Sequence, residues 1–462
     1  MVQLLHETIF LPDEGATTNL GKALAPVLDA GDVIFLNGAV GAGKSHLARS
    51  IIQSRLGYRE DVPSPTYTLV QTYADGDCEI FHADLYRLSD ASELVELGLD
   101  EALQNAICLV EWAERLGPEH LPPETLTITL SEKDDGRLAT FSSEAVRWGK
   151  VRRAIDKAMF LIEAEWSGAQ SSSVAGDLSS RTYQRLRLGK RSAIYMDAGD
   201  DVTSTIRFVE VAQWLAANGY SAPQPLAQAT DKGLLLLDDF GDQRLAALPD
   251  FTQKMDLCLS LLADIRTKAP ADLPCPTPGE LAEMSMLATH YPGAVTETLS
   301  AFRDVLCGCI KTVNKGVTAT VSLRDIHDDN IMWLPEKDGL KRLGLLDFQD
   351  AFLVHPVYDL VSLLTDARRE VSAQDRQELI AKYAQITGDN MTDLQSAFAV
   401  YSAQRNLRIL GIFSKAARVL GKPHHVQNLP RVYGYLGEAL EHPIFEGAGK
   451  DLLAALPKPE KA

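Results

Sequence analysis

The sequence predicts two domains of different class: an α/β domain of the P-loop NTPase fold, then a two-lobed α+β domain of kinase-like build. Three observations predict this. Gly38-Ala39-Val40-Gly41-Ala42-Gly43-Lys44-Ser45 fits the phosphate-loop pattern G-x-x-x-x-G-K-[ST]. Strand-like and helix-like segments alternate around it. Far downstream, Asp325 and Asn330 precede Asp347-Phe348, the D-x-x-x-x-N plus D-F arrangement of kinase-like folds. At 462 residues the chain exceeds one ordinary core, and a prior of roughly 150 residues per domain suggests two to four.

Val33-Ile34-Phe35-Leu36 reads as a buried strand entering the loop, and Ser45 to Ile52 as the helix leaving it. In that context a glycine-rich turn aims consecutive backbone N–H groups at one anion, and the helix N-terminus adds partial positive charge. Gly38, Gly41 and Gly43 are therefore expected to shape a nucleotide site, Lys44 to reach the terminal phosphates of ATP, and Ser45 to hold Mg2+. Further strands are expected at Tyr67–Tyr73, Glu79–Ala83, Ile107–Glu111 and Leu126–Leu130, in the order of a parallel sheet with crossover helices. Hydrolysis also needs a metal-holding carboxylate, a phosphate sensor and a group that positions water. Asp84 ends one strand where it can reach the ion opposite Ser45. Glu111 ends another and can orient water or bind the ion through water. Thr66 lies in a proline-stiffened turn, Ser64-Pro65-Thr66, that can change state when phosphate arrives. Trp112 fits a nucleotide stack or a core position equally well.

Composition narrows the partners. Apolar residues make up 45% and charged residues 23% of the chain, ordinary for a soluble protein, and no run approaches the roughly 18 apolar residues of a membrane span. Met1 to Glu7 lack a basic-plus-apolar leader, so a cytoplasmic protein without membrane contact is expected. The six cysteines show no C-x-x-C spacing, which argues against zinc and against a disulfide framework. Of the net charge of −18, −15 falls in residues 1–146 and −3 in the remainder. So acidic a first domain repels nucleic-acid phosphates, and any service to RNA is expected to run through a partner.

The quoted loop, Ser64-Pro65-Thr66-Tyr67-Thr68-Leu69-Val70, His82-Ala83-Asp84-Leu85-Tyr86-Arg87-Leu88 and Val110-Glu111-Trp112 together resemble the TsaE family over about residues 1–146. The resemblance implies a small ATPase that supports synthesis of threonylcarbamoyladenosine in tRNA. In that family TsaB- and TsaD-type partners carry the transferase chemistry and most RNA contact. It further implies that Lys44 and Ser45 bind phosphate and Mg2+, Thr66 senses the γ-phosphate, Asp84 binds Mg2+ and Glu111 assists hydrolysis.

The second domain is placed at 147–462. Trp148 to Trp166 carries Val151, Ile155, Met159 and Ile162 at helical period. The serine-rich stretch 167–173 fits an interdomain linker or a loop joining that helix to a strand; the second is preferred, so the boundary precedes the helix. Thr182–Leu188 and Ser192–Ala198, joined by Gly189-Lys190-Arg191, suggest a hairpin. From Phe251 onward the pattern is mostly helical. Asp325 is expected to orient and deprotonate the attacking hydroxyl, and Asn330 and Asp347 to hold Mg2+. Asp328 and Asp329 read as solvated. Asp238-Asp239-Phe240-Gly241 spells D-F-G ahead of that loop and after an apolar strand, so Asp239 and Gly241 are assigned adenine-side contacts, not metal. The covering loop is expected at Ala175–Tyr183. Met196 and its neighbours lack the lysine that grips α and β phosphates; Arg181 or Arg185 fits that role or that of an exposed strand arginine equally well.

Residues 147–462 resemble the aminoglycoside-phosphotransferase-like family, and more narrowly the AmgK-type amino-sugar kinases. The narrower likeness rests on Gly176-Asp177, Arg181-x-Tyr183-x-Arg185, Ser192 to Ala198, Leu323 to Trp333, Leu346 to Ala351, Tyr358-Asp359-Leu360 and Arg405 to Gly411. It implies ATP-dependent phosphorylation of N-acetylmuramate or N-acetylglucosamine at the anomeric hydroxyl, in cell-wall recycling. Leu323 stands where the wider family has histidine and the phosphate-gripping lysine is missing, so antibiotic modification is not implied. Asp359 fits substrate binding or fixing of the catalytic loop. Arg368 is a further cleft candidate; it and Asp366 fall i, i+2 on an expected helix and are not assumed to pair. Arg405 and Arg408 lie one helical turn apart and either meet a lactyl carboxylate or form a solvated face, the latter favoured. A non-catalytic nucleotide-sensing second domain, a kinase for another hydroxyl substrate, and a first domain that only docks partners are the competing readings.

Overall fold

A computed structural model describes residues 5–57, 62–76, 78–88, 98–116, 122, 124–174, 181–247 and 250–459. The entering strand, β2 (Val33–Asn37), is apolar on both faces because both are covered. Ile34 and Leu36 pack in one core with Leu20 and Ile51, while Val33 and Phe35 pack in a second with Ala83, Cys108 and Val110. Around it lie β1 (Leu5–Leu11), α1 (Glu14–Leu24), α2 (Lys44–Leu56), β3 (Val70–Asp75), β4 (Cys78–Asp84), α3 (Leu99–Asn105), β5 (Ile107–Glu111), β6 (Leu126–Lys133) and β7 (Gly136–Ser143). The seven strands run β1-β7-β6-β2-β5-β4-β3.

Only β4, β5, β2 and β6 are parallel; β3, β7 and β1 pair antiparallel. The parallel strands with crossover helices expected from the sequence form the centre of a mixed sheet. Two strands went unforeseen, because β1 and β7 intersperse buried residues with more accessible ones and lack a continuous apolar run. The strand expected from Tyr67 starts at Val70, since Leu69 N–H donates to Pro65 O at 2.7 Å and Leu69 takes a left-handed φ of +62°. That turn brings Thr66 back toward the sheet.

The long helix after residue 148 is α4 (Gly149–Glu163). A five-stranded sheet follows in the order β11-β12-β10-β9-β8, from β8 (Gln170–Val174), β9 (Thr182–Leu188), β10 (Arg191–Asp197), β11 (Pro225–Ala229) and β12 (Leu234–Asp238). The expected hairpin is β9–β10, one residue tighter than expected: Leu188 pairs with Arg191, and Gly189 supplies the positive φ of the two-residue turn. Between β10 and β11 comes α5 (Val202–Ala217). The helical region comprises α6 (Phe251–Ile265), α7 (Pro278–Met284), α8 (Thr296–Val313), α9 (Tyr358–Leu364), α10 (Ala373–Thr387), α11 (Met391–Val419), α12 (Leu429–Leu440) and α13 (Ala448–Ala455). A short hairpin, β14 (Ile331–Trp333) with β15 (Leu343–Leu345), and the antiparallel pair of β13 (Thr320–Ser322) with β16 (Phe352–Val354) that encloses it in sequence frame the acidic loop.

Compactness divides the chain in two. The first unit takes in the P-loop domain, α4, and residues 181–200 and 226–236; the second takes in 201–225 and 237–462. All six cysteines are free thiols. Among the described residues, no helix is long and apolar enough to cross a membrane.

Candidate active sites

In the first unit the phosphate loop is shaped by backbone that only glycine adopts without strain. Gly38, Gly41 and Gly43 have φ of +137°, +83° and +102°. A Cβ at Gly38 would lie 2.3 Å from Leu130 O, and one at Gly43 would lie 3.2 Å from the Arg137 guanidinium. Lys44 is buried; its ammonium donates to Gly38 O at 2.7 Å and Ala39 O at 2.9 Å and sits 3.9 Å from the centre of the Trp112 ring. Burial lowers its pKa, and the charges of Glu111 and Asp84 act against that fall. Trp112 is half-buried with a left-handed φ of +61°, its ring packs at a tilt of 52° against Tyr86 with centroids 5.0 Å apart, and it is a platform for Lys44.

Polar side chains converge beside the loop. Ser45 Oγ donates to Glu111 Oε2 at 3.0 Å, and Glu111 Oε1 meets His82 Nε2 at 2.9 Å. Thr66 Oγ1 donates to Asp84 Oδ2 at 2.8 Å and is joined to Ser64 Oγ at 2.8 Å. The structure thus gathers Lys44, Ser45, Thr66, Asp84 and Glu111 in one site. His82 and Ser64 were missed. The signal for His82 was available: on a strand, residues i and i+2 face the same side, which puts His82 beside Asp84.

The second unit builds its site on strained turns. Arg324 and Asp347 take φ of +71° and +56°, which branched or bulky residues avoid. Asn330 Nδ2 donates to Asp325 O at 3.0 Å and to Asp347 Oδ2 at 3.4 Å, and Gln349 Nε2 donates to Asp347 Oδ1 at 2.7 Å. The spaced trio is therefore one cluster, with Gln349 an unforeseen fourth member. Arg405 donates to Asp325 Oδ1 at 3.2 Å. Burial acts to raise the Asp325 pKa, but Arg405, Arg408, Arg324 and His327 outweigh it and hold the value below the ordinary range.

Several assignments are corrected here. Arg405 and Arg408 are only 4% and 9% exposed on α11, so they form no solvated face. Asp328 is buried too, with Oδ2 at 3.3 Å from Lys254 Nζ and 3.2 Å from Arg369. Only Asp329, at the site's edge, is partly open, 3.6 Å from Arg368. Helix α9 ends at Leu364, so Asp366 and Arg368 lie in a turn and do meet: Arg368 N–H donates to Asp366 Oδ1 at 3.0 Å. Arg368 also reaches His327 Nε2 at 3.2 Å. Asp239 Oδ1 accepts from Gly241 N–H at 3.0 Å, closing a turn just after β12. On β9, Tyr183 and Arg185 oppose Met196 and Ile194, on the face away from the Leu186–Ala193 core pair. Arg181 directly precedes β9; Gly176, Asp177 and the rest of the expected covering loop at 175–180 lie outside the described residues.

Removing Asp328 leaves the buried Lys254 and the partly buried Arg369 without this anion. Asp328→Ala is expected to destabilise the second unit by about 3–5 kcal/mol, measured as a lower urea midpoint.

Asp359 lies beneath the loop. Its carboxylate accepts from Ser322 Oγ at 2.7 Å, Leu323 N–H at 2.8 Å and Arg324 N–H at 3.0 Å. Burial, with help from the nearby Asp325 charge, pushes its pKa up to about 6 against those donors. Since the unfolded value is about 3.9, this group favours folding below that pH, and the contribution is lost as pH rises through about 6. Turnover runs the other way, because only the carboxylate accepts all three bonds. Phosphotransfer is expected to fall on acidification through about pH 6, and Asp359→Asn to flatten that limb at reduced kcat. An acid limb that survives the substitution unchanged would exclude Asp359 as its source.

Comparison with known proteins decides the identity. Residues 11–139 match the family described as threonylcarbamoyl adenosine biosynthesis protein TsaE, and residues 172–394 match the phosphotransferase enzyme family. The tRNA threonylcarbamoyladenosine biosynthesis protein TsaE of Rickettsia bellii is 39% identical over 146 residues, 31% of this chain and 99% of that protein. Its namesake in Bacillus subtilis is 39% identical over 150 residues, 32% of this chain and 90% of that protein. The N-acetylmuramate/N-acetylglucosamine kinase of Caulobacter vibrioides is 31% identical over 343 residues, 63% of this chain and 93% of that protein. The chain belongs to both families. It is a fusion of a TsaE-like ATPase domain and a kinase domain related to the N-acetylmuramate/N-acetylglucosamine kinases, and it is an ATP-utilising enzyme.

Proposed function

We propose that residues 1–146 hydrolyse ATP in support of tRNA threonylcarbamoyladenosine modification, and that residues 147–462 phosphorylate an amino sugar of the N-acetylmuramate or N-acetylglucosamine type at its anomeric hydroxyl. The single observation that carries the kinase reading is the contact of Asn330 with both Asp325 and Asp347, which gathers a proton acceptor and two metal donors. Among the described residues, no group of three His, Cys, Asp or Glu side chains could hold a metal. Mg2+ is commonly held by one or two carboxylates together with substrate phosphates and water. Ser45 and Asp84 would hold it in the first domain, Asn330 and Asp347 in the second. When bound, the ion neutralises the charge that builds on the transferring phosphoryl group.

In the second domain Asp325 aligns the sugar hydroxyl and takes its proton as the new O–P bond forms and the bond to ADP breaks. Arg405, buried against Asp325, fixes that carboxylate, and it and Arg408 offer cations to an anionic sugar substituent. Asp239 and Gly241 are assigned to the adenine side and Arg181 to the phosphates. In the first domain Glu111, held by His82 and Ser45, positions water, while Thr66 reads the γ-phosphate. The charge of −15 in residues 1–146 supports contact with tRNA only through TsaB- and TsaD-type partners, in the cytoplasm. ADP release measured in a Lys44→Ala chain, which removes turnover at the other site, tests the kinase reading. Release should depend on N-acetylmuramate or N-acetylglucosamine and not on aminoglycosides; no sugar dependence would overturn it.

A further inference from the structure

Helix α4 belongs to two hydrophobic cores at once. Trp148, Val151, Ala154, Ile155 and Ala158 are buried in the core that also holds Leu20, Leu36 and Ile51 of the P-loop domain. Phe160, two residues on and turned to the other side of the helix, packs with Trp166, Leu186, Ala193 and Tyr195 in the core of the five-stranded sheet. A linker between independently folding domains is expected to be polar and crossed by few contacts. This helix is the opposite.

Ion pairs double the arrangement. Asp32, fully buried just before β2, is bound by Arg147 and by Lys150, the latter at 2.6 Å. Asp197, buried at the end of β10, is bound by Arg153 and by Lys157, the latter at 2.6 Å. Lys232 adds a contact of 2.7 Å to Asp156. Charged contacts thus anchor the start of the helix to Asp32 and its middle to Asp197, and removing a partner would leave a buried charge uncompensated.

A second route runs through α1. Thr18 Oγ1 meets His46 Nε2 at 3.0 Å, next to the phosphate-loop Ser45 on α2. Asn19 and Lys22, on the same helix, donate to Trp166 O at 3.3 Å and Ala169 O at 3.3 Å, at the entry to β8. A Cβ at Gly15 would lie 3.1 Å from Gly168, so that approach is backbone on backbone.

We infer that α4 welds the P-loop domain and the five-stranded sheet into one cooperative folding unit, so that nucleotide held by the phosphate loop stabilises the sheet as well as its own domain. The inference stands whichever sugar the kinase domain takes. A ligand that binds only the folded state slows global opening in proportion to its saturation, about 100-fold at 100 times its Kd. If the unit is cooperative, amides on β9 and β10 inherit that factor.

Hydrogen exchange on the full chain tests this, with a non-hydrolysable ATP analogue and Mg2+ as probe and Asp347→Asn disabling the second site. At 100 Kd, exchange in residues 33–52 and in residues 182–197 should slow together, by about 100-fold. Protection of 33–52 with none in 182–197 would overturn the inference, as would protection of 182–197 that persists in Lys44→Ala. With Arg153→Ala and Lys157→Ala added, protection should stay in 33–52 and weaken in 182–197. Should that variant not fold, the unsubstituted chain decides without nucleotide: under rising denaturant, slow amides of β2, α4 and β10 should merge into one opening transition, and separate transitions would refute the weld.

Discussion

Asp325→Asn is expected to lower the rate of sugar phosphorylation by about 10²–10⁴-fold, the range for loss of a positioned general base, while ATP hydrolysis at the phosphate loop continues. The asparagine keeps the size of the side chain and one oxygen for Arg405, so loss of folding is not the expected cause. What goes is the charge. Arg405, Arg408, Arg324 and His327 hold the Asp325 pKa below the ordinary carboxylate range despite its burial, so the group is an anion at neutral pH. A weak base suits a loose phosphoryl transfer, in which the attacking hydroxyl becomes acidic only as the O–P bond develops. The substitution should therefore act on kcat and leave KM for the sugar nearly unchanged. A Lys44→Ala background removes hydrolysis at the first site, so that ADP release reports phosphotransfer alone. Sugar phosphorylation unaffected by Asp325→Asn would exclude Asp325 as the base, and no sugar phosphorylation by either protein would support a nucleotide-sensing module in place of a kinase.

The chemistry of both sites was legible because it is written in short spacings. Gly38 to Ser45 and Asp325 to Asn330 are local constraints: backbone that must turn round phosphate, and side chains that must meet one ion. What the sequence left unread is pairing across distance. Asp328 looks like any solvated acid until α6 brings Lys254 and the turn after α9 brings Arg369 to it. Arg405 and Arg408 fit an exposed helical face, yet α11 is buried along most of its length. β1 and β7 escaped notice because half-buried antiparallel strands carry weak alternation. α4 was recognised as a helix from Val151, Ile155, Met159 and Ile162, but that stripe describes only the face turned to the P-loop domain. Phe160, on the far side of the helix from that stripe, belongs to the other core. A single apolar period cannot announce that a helix serves two cores.

Lys44→Ala is expected to cut ATP hydrolysis at the phosphate loop by about 10²–10³-fold, the scale of removing one preorganised donor from a site of developing charge. The lysine is more than a phosphate hook. Its ammonium ties Gly38 O and Ala39 O, lies on Trp112, and interacts electrostatically with two carboxylates, Glu111 and Asp84, whose charges oppose the fall in its pKa. Without it those carboxylates face incoming polyphosphate with their own charge uncompensated, so nucleotide affinity should fall along with turnover. Lys44→Arg is not expected to rescue, because a planar guanidinium cannot replace a compact ammonium held by two loop carbonyls over an aromatic ring. Sugar phosphorylation in the same variant should persist, since Asp325, Asn330 and Asp347 belong to the other unit. The decisive measurement is tRNA modification with TsaB- and TsaD-type partners. If hydrolysis drives the cycle, modification falls with it. If modification survives the loss of hydrolysis, ATP serves only to set the shape of a docking protein, and the network joining Ser45, Glu111 and His82 is structural in purpose.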